Sequence, residues 1–100
     1  MKLFLDDSRE FPKTGYECVR DAQSAKLLLS VLKFEFITLD YSLDKGKENG
    51  LDVLVWMKEN DIFVPRINIH SNHIFGRKEM YDFCKENFPE SEITMNMLPK

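Results

Sequence analysis

Apolar residues recur along the chain in two alternating rhythms, and their alternation sets out an architecture. Residues 2–5 form a short apolar run that ends in Asp6 and Asp7, and residues 8–15 carry Pro12 and Gly15, the punctuation of a loop. Residues 16–20 again read as a strand. Asp21 then suits a helix N-cap, and Ala22, Ala25, Leu28, Leu29 and Leu32 follow at helical spacing to about residue 33. The unit repeats with a strand over 34–39, a polar loop over 40–47, and a helix over about 49–60 carrying Leu51, Leu54, Val55 and Met57. Pro65 precedes a fourth strand over 66–70. A helix over about 75–88 turns Met80, Phe83 and Cys84 inward, and residues 93–97 predict a fifth strand.

Strands alternating with helices predict one compact α/β domain over residues 1–100. We expect a mostly parallel sheet of four to five strands with right-handed crossovers and a flavodoxin-like strand order. The first connection carries no helical pattern. Residues 8–15 reach roughly 26 Å when extended, enough to cross back over a short strand, and a hairpin is the other arrangement open to them. The strands are not apolar throughout: Leu3, Leu5, Ile37, Leu39, Ile67, Ile69, Met95 and Met97 alternate with Lys2, Thr38, Arg66, Asn68, Thr94 and Asn96. This predicts three helices mainly on one apolar face. The other face is then wet or meets a protein partner or a second copy in a homodimer, with Phe4 and Phe36 as apolar spots on it. Trp56 and Met57 read as packing residues of their helix.

Composition narrows the class. A hydrophobic fraction of 43% with 31% charged residues is that of a folded domain, and the net charge of -3 with scattered lysines and arginines argues against a nucleic-acid partner. No apolar run approaches the roughly 20 residues that span a bilayer, and the start turns acidic too early for a signal peptide, so a cytoplasmic protein without a membrane partner is expected. Cys18 and Cys84 lack metal-ligand spacing and read as reduced thiols.

Ligands of an open parallel sheet bind beyond the carboxyl ends of its strands, near the point where strand order reverses. Asp6 and Asp7 close the first strand, Asp40 the third, and His70 and Ser71 the fourth. Three carboxylates within about 4 to 5 Å repel by about 1 kcal/mol per pair in water and about 4 kcal/mol at intermediate dielectric, and a divalent cation is the simplest remedy. All-oxygen ligation points to Mg²⁺ or Mn²⁺ ahead of Zn²⁺.

At this point the residues resemble a family. Asp6-Asp7, Thr38-Leu39-Asp40 and Asn49-Gly50-Leu51-Asp52-Val53-Leu54 are similar to the motifs of response-regulator receiver domains, in the same order along the chain. Leu3-Phe4-Leu5-Asp6-Asp7-Ser8-Arg9, Val19-Arg20-Asp21-Ala22, Gly50-Leu51-Asp52-Val53-Leu54-Val55-Trp56 and His70-Ser71-Asn72 resemble a divergent branch, the cyclic-phosphate processing receiver domain. The resemblance covers most of the first 80 residues. It implies Asp6 and Asp7 as metal ligands, Asp40 as ligand and phosphoryl acceptor, and Ser71 or His70 as the group contacting phosphate. Two positions depart from the pattern: Tyr41-Ser42 follow Asp40 where the branch continues His-Asp, and Lys100 follows Pro99 where receivers place a lysine before a proline.

His70 has an unperturbed pKa of about 6.5, which suits general acid–base work. His73, Arg77 and Lys78 fall at or near a helix N-terminus, where free N–H groups favour anions such as phosphate. Arg9 reads as charge compensation for the acidic pair, or as a group reaching a phosphate. Three functions stay open at this stage: a receiver-like module fed by a phosphodonor protein or small phosphorylated ligand, a metal-dependent hydrolase of a cyclic phosphate, and a non-catalytic protein-binding domain. The residues leave enzyme status undecided.

Overall fold

The computed structural model describes residues 1–8, 10–12, 14–43 and 48–95; Arg9, Asn96, Met97, Pro99 and Lys100 lie outside them. Among the described residues the elements follow as β1 (Lys2–Leu5), β2 (Glu17–Val19), α1 (Ala22–Val31), β3 (Phe36–Leu39), α2 (Gly50–Glu59), β4 (Arg66–Ile69), α3 (Ile74–Asn87) and β5 (Glu92–Met95). The five strands form one parallel sheet in the order β2-β1-β3-β4-β5. β1 and β2 pair in parallel, Leu3 beside Glu17 and Leu5 beside Val19, so the first connection is a crossover and not a hairpin.

Local chemistry starts each helix. The Asp21 side chain accepts a hydrogen bond from the Ser24 amide at 2.7 Å, capping α1. Asn49 and Asp52 form a capping box on α2, each side chain accepting from the other's backbone N–H. The His73 ring caps α3 by accepting from the Gly76 amide at 2.9 Å. Helix ends differ by a residue or two from the sequence reading. α1 stops at Val31, leaving Leu32 as a partly exposed C-cap, and β3 begins at Phe36, with Phe34 buried just ahead of it.

Direction of travel across the sheet explains why the two faces differ. From β2 onward every connection moves the same way, and right-handed crossovers then place α1, α2 and α3 on one face. Leu3, Leu5, Ile37, Leu39, Ile67 and Ile69 meet Ala25, Leu29, Val53, Leu54, Met57, Met80 and Cys84 there in a single core, with Trp56 packed partly buried at its margin. The β1–β2 step alone moves the opposite way, which sends its connection across the other face. Phe11 and Tyr16 accordingly stand edge-on to Phe4, at 5.8 Å and 6.1 Å between ring centroids.

That second face departs from the wet surface expected of it. Phe4 is 2% exposed, and Thr38 and Asn68 are fully buried. Their polar atoms bond to one another: Asn68 Nδ2 donates to Thr38 Oγ1 at 2.9 Å, and Thr94 Oγ1 donates to Asn68 Oδ1 at 2.6 Å. Alternating polarity here marks a hydrogen-bonded layer, which satisfies the cost of burying polar groups.

Candidate metal centre

Strand order reverses at β1, whose outgoing connection runs toward β2 while that of β3 runs toward β4. A crevice therefore opens at the carboxyl ends of β1 and β3. The ladders continue one residue past the strands and fix its walls: the Asp6 amide donates to the Val19 carbonyl at 3.2 Å, the Asp40 amide to Leu5 at 3.0 Å, and the His70 amide to Leu39 at 2.9 Å.

Asp6, Asp7 and Asp40 converge in that crevice. Each offers a carboxylate oxygen, and the three oxygens lie within 4.8 Å of one another. Oxygens bound to one Mg²⁺ stand about 3 Å apart when adjacent and about 4.2 Å when opposite, so the trio is within side-chain reach of a shared ion. Asp6 is buried, while Asp7 and Asp40 are half-buried, which leaves room for water or a phosphate to complete the coordination. The donor set is hard oxygen throughout, with no sulfur among the three, and fits a hard divalent cation.

Electrostatics mark the same spot. Burial, and then the neighbouring Asp6 carboxylate with a smaller push from Asp7, hold the Asp40 carboxyl above the usual carboxylate range. Hydrogen bonds from the Ser71 side chain and the Tyr41 backbone act in the opposite direction without cancelling the shift. Asp40 thus sits in a site that disfavours its bare negative charge.

His70 and Ser71 divide the space between them. Ser71 is buried and reaches Asp40, and its oxygen also accepts from the His73 amide at 3.1 Å. The strand's alternation turns His70 onto the helix-free face, where Nε2 meets Asp6 Oδ2 at 3.0 Å and Nδ1 meets Thr38 Oγ1 at 2.6 Å. Arg77 lies close by, its Nη1 donating to the Ser71 carbonyl at 3.0 Å. Lys78 is exposed, its ammonium held by Asp82 one turn further along α3 at 2.8 Å.

Three contributors escape the sequence reading. Arg20 Nη1 donates to the Asp6 carbonyl at 3.2 Å while its guanidinium lies 3.7 Å from the centre of the Phe11 ring. Val19-Arg20-Asp21 belongs to the resembling stretch, so the signal was present without a role attached. Tyr41 packs its ring against His73 at 4.8 Å and over Gly76, where a Cβ would strike it. Gly50 comes against the Asp40 backbone carbonyl in the same manner, so the first turn of α2 backs the Asp40 peptide directly.

A parallel sheet ordered 2-1-3-4-5, with carboxylates from β1 and β3 at its switch point and a β4 hydroxyl beside them, defines a receiver-type α/β domain. Within that class the sequence pattern described as the cyclic-phosphate processing receiver domain matches residues 1–86, and the chain belongs to that family. No curated protein matches the chain.

Proposed function

We propose that the domain binds Mg²⁺ or Mn²⁺ through Asp6, Asp7 and Asp40 and accepts a phosphoryl group on Asp40 as part of phosphate-based signalling. The observation that carries this reading is the placement of Asp40, half-buried in a three-carboxylate cluster with the Ser71 side chain hydrogen-bonded to it. A bound divalent cation supplies positive charge that lets three carboxylates and a phosphoryl group share the crevice. In the transfer, an Asp40 carboxylate oxygen forms a bond to phosphorus while the bond from phosphorus to the donor's leaving group breaks, and the electron pair departs with that group. In this reading Ser71, hydrogen-bonded to Asp40, donates to a phosphoryl oxygen on it, and Arg77, anchored on the Ser71 carbonyl, keeps positive charge near it.

The test is intact-protein mass spectrometry after incubation with acetyl phosphate and Mg²⁺. One added phosphoryl group, removed by hydroxylamine and absent from Asp40→Asn, is expected. No adduct at any donor concentration would sink the assignment of Asp40.

The family's description favours a second reading, metal-dependent opening of a cyclic phosphodiester, in which a water oxygen bonds to phosphorus, one P–O ester bond breaks, and the freed oxygen takes the proton the water gives up. Turnover of a 2′,3′-cyclic nucleotide that requires metal and survives purification to homogeneity distinguishes it from the first.

A further inference from the structure

We propose that His70 is a positioning residue for the metal ligand Asp6, held in its Nε2–H tautomer by a buried relay through Thr38, Asn68 and Thr94; this rests on the metal reading above. The relay runs across the helix-free face from the crevice to the edge strand β5. Asp6 is 0% and His70 1% exposed, so the contact between Oδ2 and Nε2 at 3.0 Å is sealed from water. Asp6 Oδ1 accepts from the Ser8 amide at 2.9 Å. A donor thereby aims each of the two carboxylate oxygens.

Proton bookkeeping sets the direction of the relay. Thr94 Oγ1 donates to Asn68 Oδ1, so the Asn68 amide presents its N–H to Thr38 Oγ1. Thr38 accepts that bond and has its own proton to give to His70 Nδ1, 2.6 Å away. Asp6 Oδ2 is acceptor-only, so the neutral ring carries its proton on Nε2, facing the carboxylate, and Nδ1 is left to accept from Thr38. The opposite tautomer would set a bare ring lone pair against that carboxylate. Phe4 fixes the plane of the ring, stacked on it at 4.8 Å and 15°. The arrangement resembles the support that orients metal ligands generally, where ligating carboxylates are themselves hydrogen-bonded and losing the partner weakens metal binding 10- to 100-fold.

A plain packing role for Thr38 would leave the His70 tautomer and the metal affinity unmoved. Neither Thr38 nor Asn68 is among the three candidate ligands, yet Thr38→Val, close to isosteric, removes the proton that fixes Nδ1. Two measurements decide. The first is ¹⁵N NMR of the His70 ring in the wild type, expected to show a protonated Nε2 and an acceptor Nδ1. Protonation at Nδ1 overturns the relay whatever the variants do. The second is Mn²⁺ affinity by water-proton relaxation on folded wild type, Thr38→Val, Thr38→Ser and Asp7→Asn. About tenfold weaker binding in Thr38→Val, restored in Thr38→Ser, is expected. If Thr38→Val fails to fold, Thr94→Val probes the far end of the same relay, with weaker Mn²⁺ binding expected and unchanged affinity counting against the relay. Equal affinity in wild type and Thr38→Val, with loss only in Asp7→Asn, overturns the positioning role and leaves the metal site standing. Absence of binding in the wild type overturns the metal reading and the positioning role with it.

Discussion

At Asp40 the forces of the site act on a single proton. Its folded-state pKa lies above the unfolded value near 3.9 because of burial and then the Asp6 carboxylate. The carboxyl therefore favours folding while protonated, and that contribution is lost as pH rises through the folded pKa. At pH 7 without metal the ionised side chain therefore works against folding. Asp40→Asn keeps an oxygen for the Ser71 bond and removes the charge. The metal-free variant should melt higher than wild type at pH 7, with the gap closing as pH falls toward 4. A variant that melts lower at pH 7, or a gap that ignores pH, would show that repulsion is not what distinguishes this carboxylate. Cys84 tests burial in the core: its thiol is pushed up to about 12, so alkylation at pH 8 should proceed only through unfolding, at a rate that tracks denaturant. Alkylation of the native protein as fast as a free thiol would contradict that packing.

Elements carry the site because their ends are rigid where they meet it. Gly50 opens α2 against the Asp40 carbonyl, with the Met80 methyl 2.8 Å from where a Cβ would stand. Gly50→Ala must push the helix start or the Asp40 peptide outward, and a loss of about 1 to 3 kcal/mol is expected in urea unfolding, together with weaker metal binding. A change under about 0.5 kcal/mol would mean that the close approach relaxes freely. Much at this scale could be read from the sequence, since Asp21 and Asn49 are capping residues by type and the aspartates fall where apolar runs end. The helix-free face could not. A period of two reports which side chains share a face, and says nothing of what covers them. Thr38 and Asn68 therefore read as wet although they satisfy one another. Phe11 gave no strand or helix signal, and its place over Phe4 follows only once β1 and β2 are known to be parallel. The one-residue ambiguity between His70 and Ser71 has the same origin, because strand parity sends one to Asp6 and the other to Asp40.

For the whole molecule, the parallel sheet and its switch point bring residues distant in sequence to one crevice, and membership of the receiver branch agrees with that geometry. Among the described residues no helix is long and apolar enough to cross a membrane. Whether the three carboxylates are held together for a cation is decided by thermal melting against Mg²⁺ concentration, for wild type and Asp7→Asn. Mg²⁺ at about 100 times its dissociation constant stabilises by roughly 2.7 kcal/mol, a rise of roughly 10 °C or more for a domain of this size. That rise is expected in the wild type, and its loss in Asp7→Asn. Midpoints that stay level in both proteins, or rise equally in both, would contradict a shared cation.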